Sequence, residues 1–317
     1  MLDLFANIFG RGDEHTSKLP PSLVKKVTER AIDGTDPRLR IVSGYAKTLK
    51  NPVIHAADYI IDMIDSLPAP VLANRASLSA DPVLAALFYS AERMDQIIAR
   101  DPAMKEFRAG NPLAPGPVSA LLVANRTEKH SFGYGEVNGQ PVKDVALTTL
   151  GFDQHLLVAV AADEAETRLM LKRRAFDQLL SVALLQLTER KEERDSLTGR
   201  KALLHSKLNI IQRGGSFSHH TGASEKAKLQ ESLKEIEKKL SQIGTPGDVL
   251  GDNLATIVEV LSKAESHLWL EDKPVCLDKL YVVHEKPTQS APLIVFREMH
   301  NSEGQRVTLQ MLSVPNQ

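Results

Sequence analysis

The chain has 317 residues, 42% hydrophobic and 25% charged, so it can bury a core and is not disordered. Its 39 basic and 40 acidic residues nearly cancel and aromatics make up only 5%, which argues against a nucleic-acid binder working by general basicity or base stacking. The single cysteine, Cys276, excludes an internal disulfide framework and a cysteine-based zinc cluster, and no apolar run approaches the ~18 residues of a membrane span.

Residues 1–20 read as an apolar peptide and tether. Leu2, Phe5, Ile8 and Phe9 fall near one helical face, and the polar stretch Gly10–Ser17 ends at Pro20-Pro21. The peptide docks on its own domain or serves as a docking peptide for a partner or membrane surface. Met1–Phe5 has no basic region or cleavage site, so the chain is expected to be cytoplasmic. Arg11-Gly12-Asp13 spells an adhesion tripeptide, read here as chance.

Residues 21–110 form a helical subdomain. Leu23, Val24, Val27 and Ala31 predict a short helix stopping at Asp33-Gly34. A second is expected over 39–67, broken or kinked at Pro52. Asp81-Pro82 reads as a cap followed by proline at the first helical position, opening a helix with Leu84, Leu87, Met94, Ile97 and Ile98 inward.

At residues 111–162 the period changes to two. Val118–Arg126, Lys129–Val137, Gln140–Thr149 and Gln154–Ala161 read as a four-stranded antiparallel meander. Asn138-Gly139 is a strong two-residue turn signal, and it would set Phe132 opposite Val145 and His130 opposite Leu147.

Residues 163–247 predict a long helix from Asp163 and a returning second helix. Phe176–Leu187 is apolar nearly all round and is expected to be buried, whereas the charged run Glu189–Asp195 reads as a solvated surface. Beyond it, Leu197, Leu204, Leu208 and Ile211 face a seam of Leu229, Leu233, Ile236, Leu240 and Ile243. The pairs 208 with 229, 204 with 233 and 197 with 240 share the sum 437, as an antiparallel hairpin requires. The second helix, Ala223–Ile243, spans roughly 30 Å. A protruding two-helix coiled-coil arm with its tip at Gly214–Gly222 is therefore expected.

Residues 248–317 predict a helix over 248–265 and a second antiparallel β segment: 267–271, 275–283, 293–299 and 306–314. The last strand alternates Val307, Leu309 and Met311 with Arg306, Thr308 and Gln310, which implies one wet face. The class is thus α+β: an N-terminal helical subdomain, two antiparallel β segments and the helical arm between them.

Motifs with a chemical mechanism are missing. Gly133-Tyr134-Gly135 lies in a strand pattern with no Gly-Lys-Ser/Thr, and neither a Gly-x-Ser-x-Gly elbow nor His-Glu-x-x-His occurs. The remaining polar set is His130, Asp144, Asp153 and His155. Asp153 and His155, two apart in a strand, would share a face, while His130 and Asp144 fall on opposite faces in the expected register. His219-His220 has no carboxylate or cysteine in its loop to complete a metal site, and Cys276 reads as a buried small hydrophobe. No catalytic signature, cofactor or metal is called.

Residues 166–243 hold 16 basic against 10 acidic residues and 244–317 hold 6 against 10, but Lys and Glu interleave along the second arm helix as a salt-bridged surface. The sequence leans towards a cytoplasmic interaction or scaffold protein that binds a protein partner, or a second copy, through residues 190–243. A ligand pocket or enzyme site near the first β segment, using His130, Asp153 or His155, is the alternative. Nucleic-acid contact by the basic arm ranks last.

Overall fold

A computed structural model of the chain describes residues 18–111, 116–137, 140–212, 221–242 and 249–315, apart from the side chains of 134–142, 210–212, 221–226 and 242. The protein is α+β, with 57% of the described residues helical and 26% in strands. The chain divides into two compact units, each assembled from separated stretches. A sheet unit comprises Met1–Pro20, Ala57–Phe176 and Ala264–Gln317, and a helical unit comprises Pro21–Ala56 and Asp177–Lys263. Residues 1–17 of the expected 1–20 peptide and tether, and residues 214–220 of the expected arm tip with His219-His220, lie outside the described residues.

In the helical unit, α1 (Pro21–Asp33) buries Leu23, Val24, Val27 and Ala31 at helical spacing. It stops at Asp33 as expected, and the glycine that follows admits a close approach, since a Cβ on Gly34 would come within 2.8 Å of Leu180 Cδ1. Asp36 caps a 3₁₀ turn, Pro37–Ile41, so Leu39 belongs to that turn and not to the next helix. That helix, α2 (Tyr45–Asp65), runs through Pro52 without interruption. Leu49, Val53, Ala56 and Ile60 are fully buried. At roughly 1.5–3 kcal/mol each for the larger side chains, this burial outweighs the ~3 kcal/mol that an internal proline costs.

Three short helices, α3 (Arg75–Ala80), α4 (Pro82–Phe88) and α5 (Ala91–Arg100), and α6 (Pro102–Gly110) follow in the sheet unit. Asp81 caps α4 as predicted, its Oδ1 accepting from Val83 N at 2.8 Å and Leu84 N at 3.1 Å. The single stripe expected to continue from Leu84 to Ile98 is broken at Tyr89, whose φ of 63° ends α4, and Ser90 caps α5 anew.

The two β segments join in one seven-stranded sheet of order β3-β2-β7-β6-β4-β5: β2 (Val118–Val137), β3 (Gln140–Ala161), β4 (Leu268–Leu277), β5 (Val283–His284), β6 (Leu293–Asn301) and β7 (Arg306–Val314). All these pairs are antiparallel, and β1 (Val71–Leu72) adds parallel to β7. The ends of the sheet meet, because Thr149 bridges Val282 and Leu150 N donates to Tyr281 O at 2.8 Å. Its inner face packs Ala120, Leu122, Phe152, Phe296 and Leu312 against Leu84, Leu87, Phe88 and Met94 of the short helices.

Three strand expectations need correction. The four-stranded meander is two long strands, since the polar stretches near 127 and 151 stay paired (Thr127 with Gly151) and make no turn. The expected Val275–Val283 strand is cut by a turn at Asp278, whose Oδ1 accepts from Leu280 N and Val282 N. The expected wet face of β7 holds only at its start: Arg306 is exposed, but Thr308 and Gln310 are buried like Leu309 and Met311.

The β2–β3 register agrees with the sequence on either side of the expected Asn138-Gly139 turn, which itself lies outside the described residues: Val137 faces Gln140 and Gly135 faces Val142. It slips by one residue before Gly133–Val145, so Phe132 faces Ala146 and His130 faces Thr148 instead of Val145 and Leu147. Two further slips follow near Asn125 and Leu121. Each adds one residue to β3, and each coincides with a non-glycine at positive φ: Asp144 (63°), Gln154 (50°) and Ala159 (55°).

The long helix α7 (Glu164–Gln212) has 49 residues, about 73 Å at 1.5 Å per residue, and Asp163 caps it by accepting from Glu166 N at 2.8 Å. Its apolar stretch is not buried all round, for Leu184 and Leu185 remain 44% and 45% exposed. Nor is the charged run wholly solvated. Arg190 donates to Thr256 Oγ1 at 2.7 Å and Arg194 lies 3.6 Å from Asp252, both on α9 (Val249–Ser262). Between them in sequence comes α8 (Thr221–Gln242), so Gly222, expected in the tip loop, begins a helix. Leu197 of α7 and Leu233 and Ile236 of α8 are buried, and Lys201 Nζ lies 3.0 Å from Glu237 Oε1. A short helix, α10 (Ala264–His267), leads into β4.

Candidate functional site

The polar residues singled out from sequence do not converge. The extra residue at Gln154 falls between Asp153 and His155 and undoes their shared face. Phe152 and Leu157 both belong to the inner core, so the alternation restarts with His155 inward and leaves Asp153 exposed. His155 stacks on Phe88 with ring centroids 5.7 Å apart, and its Nε2 donates to Leu87 O at 2.7 Å. Burial lowers its pKa against the opposing pull of that carbonyl. His130 is exposed, with Nδ1 3.0 Å from Thr148 Oγ1. Its strand position is five residues from Asn125, the partner of Asp153, roughly 16 Å along the ladder at ~3.3 Å per residue. Asp144 occupies another slip and is exposed. Cys276 is buried, 6% exposed, as expected. Among the described residues no group of three His, Cys, Asp or Glu is placed to hold a metal.

What the fold does assemble lies along the outer edge of β3. Tyr89 and Tyr281, both at positive φ (63° and 61°), meet edge to face at 4.5 Å. Tyr89 Oη accepts from Phe152 N at 2.8 Å, Tyr281 Oη donates to Ala85 O at 3.2 Å, and Arg93 sits 5.0 Å over the Tyr89 ring. Burial raises the Tyr281 hydroxyl's pKa, with the neighbouring Tyr89 adding to it. Non-glycine residues at positive φ cost free energy that the surroundings must offset. Periodicity carries no signal for them.

Beside the tyrosines opens a cleft of about 990 Å³ between α4 and residues 277–294. Ala85, Ala86, Leu277 and Ile294 give it an apolar floor, and Asp278, Lys279 and Ser290 a polar rim. Asp278 Oδ2 accepts from His284 Nε2 at 3.0 Å. Burial works to raise this carboxyl's pKa, but the bonds from His284, Val282 N and Leu280 N outweigh it and hold it below the usual carboxylate range. The arrangement is an apolar recess whose rim carboxylate, Asp278, is held by His284, and it is suited to binding a small molecule.

A second polar group occupies the far end of the sheet's inner face. Arg126 and Glu298, 4% and 3% exposed in their side chains, pair at 2.6 Å, and Glu128 meets Arg126 at 2.8 Å. His300 lies 3.6 Å from Glu298 and 3.5 Å from Glu271, stacked on Trp269. Extending the inward alternation Ala120, Leu122, Ala124 by one step reaches Arg126. That signal was readable, but its partner Glu298 on β6 was not, because strand order is not written in the period.

No helix among the described residues is long and apolar enough to cross a membrane. No family model, no curated protein and no solved structure matches the chain.

Proposed function

We propose that the chain is a cytoplasmic interaction protein that presents the α7–α8 helical pair, as an antiparallel coiled-coil arm, to a protein partner or to a second copy. The supporting observation is the 3.0 Å contact of Lys201 with Glu237, residue numbers summing to 438, next to buried Leu197, Leu233 and Ile236. It agrees with the common sum of 437 along the leucine seam. Beyond Asp195 both helices are otherwise mostly polar, so that stretch adds little to a core, and such a pair is suited to recognition. The cytoplasmic reading rests on the single, buried cysteine.

The test joins geometry to binding. Labels at positions 204 and 233 should lie close together; roughly 40 Å, as one straight helix of 29 steps requires, would end the hairpin reading. A short distance seen only at high protein concentration would mean that two chains exchange arms. Capture of a specific partner should fail when residues 190–243 are removed, and an unchanged partner list would overturn the proposal.

A second reading is a small-ligand protein using the cleft beside Tyr281. Its volume is at the upper end of the ~300–1,000 Å³ typical of ligand pockets, and the strained Tyr281 stands at its edge. Of the alternative set, His155 is the only member packed against α4, through Leu87 and Phe88. Saturable binding of an apolar ligand, weakened by Ala86→Trp, would favour this reading over the first.

A further inference from the structure

We propose that a pocket in the helical unit binds a phosphate group, as a small phosphomonoester or free phosphate. The pocket, about 210 Å³, lies between the 3₁₀ turn, the charged run of α7 and the first turn of α9. At ~30 Å³ per water it has room for about seven waters, enough for a phosphate and a few attached atoms but not for a nucleotide or a peptide.

Charge decides the ligand class. Four cations line the pocket, Arg38, Arg190, Lys191 and Arg194, against two carboxylates, Asp36 and Asp252. Both carboxylates face guanidinium groups. Asp36 takes a bidentate pair from Arg38, Nε to Oδ1 and Nη2 to Oδ2 at 2.8 Å each, and a further bond from Asn253 at 2.9 Å. Asp252 faces Arg194 at 3.6 Å. Arg190 binds a neutral hydroxyl, Thr256 Oγ1, and among the described residues neither Arg190 nor Lys191 has an ion-pair partner. Four cations less two carboxylates leave an excess of two positive charges. A phosphomonoester carries about −1.5 to −2 at neutral pH, with three acceptor oxygens for the remaining guanidinium and ammonium donors. A monocarboxylate would compensate only half of that excess.

The neutral groups on the wall do not compete for the ligand. Thr188 Oγ1 already donates to Leu184 O and Thr35 Oγ1 to Ala31 O. Recognition therefore falls to Arg190 and Lys191, adjacent in sequence and both exposed, with Arg194 a helical turn from Arg190.

Calorimetric titration of the full chain at fixed ionic strength, with inorganic phosphate, glycerol phosphate and acetate in separate arms, tests this. Saturable binding of either phosphate compound is expected, with acetate at least about tenfold weaker. Tighter binding of the ester identifies a phosphomonoester pocket, and equal affinity a phosphate pocket. Lys191→Gln, which removes no described contact, should weaken phosphate by about fivefold, as expected for one partly exposed charge-assisted contact. Lys207→Gln, farther along α7, should change nothing. Arg190→Gln with Lys191→Gln should abolish binding. Because Arg190 also holds Thr256, the single Lys191 variant is decisive if the double variant unfolds. The proposal is overturned by absence of saturable binding at tens of millimolar phosphate, by equal affinities for phosphate and acetate, or by equal phosphate affinity in Lys191→Gln and the unaltered chain.

Discussion

Asp101 is 4% exposed, yet its carboxylate serves two elements at once. Oδ1 caps α6 by accepting from Met104 N at 3.0 Å, and Oδ2 accepts from Leu157 N on β3 at 2.8 Å. Loss of a cap costs about 1 kcal/mol and a stranded buried N–H about 1–3 kcal/mol. Asp101→Ala should therefore lower the unfolding free energy by roughly 3 kcal/mol, read from urea denaturation, with Asp101→Asn intermediate. The sequence shows Asp101-Pro102 as a helix start of the same kind as Asp81-Pro82, but the bond to Leu157 joins residues 56 apart and has no local signature.

His155 gives the second residue-scale prediction, in pH. Its folded pKa is lowered mainly by burial, so the unfolded chain takes up the proton more readily. Its contribution to stability is complete above the unfolded value of about 6.5 and falls as pH drops through that value towards the folded one. His155→Leu should therefore narrow the difference in unfolding free energy between pH 8 and pH 5. An unchanged difference would show that the imidazole is not titrating in the way its burial requires.

At the scale of elements, β3 shows where propensity gives way. Its three slips lie at Asp144, Gln154 and Ala159, each at positive φ, and they reassign the inward face to Leu150, Phe152, His155, Leu157 and Val160. Strict alternation fails here because each inserted residue turns the next side chain over. Gln154→Val is accordingly expected to destabilise the protein by about 1–3 kcal/mol, although valine is the better strand former, because a β-branched residue at positive φ is strained. Equal or greater stability in chemical denaturation would mean that the slip is not held at residue 154. The helices were more legible: α1, the cap of α4 and the start of α7 at Asp163 follow from periodicity and capping residues, each satisfied within a few residues of chain.

In the whole molecule, the last strand of the sheet is not an open edge. Leu150 N, Phe152 N and Leu157 N on β3 donate to Tyr281 O, Tyr89 Oη and Asp101 Oδ2. These three amides should exchange with deuterium slowly, whereas an uncovered edge would exchange quickly. Tyr89→Phe should release the amide of Phe152 and leave that of Leu157 protected. Fast exchange at all three in the unaltered chain would show that the edge is open.

The α+β class, the helix starts at capping residues, the turn-proximal β2–β3 register and the burial of Cys276 were determined by the sequence alone. Each rests on interactions between residues near one another in the chain, or on a repeated pattern of apolar positions. Only the tertiary structure decided that both β segments share one sheet, that Thr308 and Gln310 of β7 are buried, and that α2 continues through Pro52. It also decided that Asp153 and His155 part company, that Tyr89 meets Tyr281 beside the cleft, and that Arg190 turns onto α9. These depend on partners distant in the chain, on burial that outweighs a local cost, and on single inserted residues that reverse the facing of all that follow. A hydrophobic period records which residues seek the core and leaves open which strand, helix or charge they meet there.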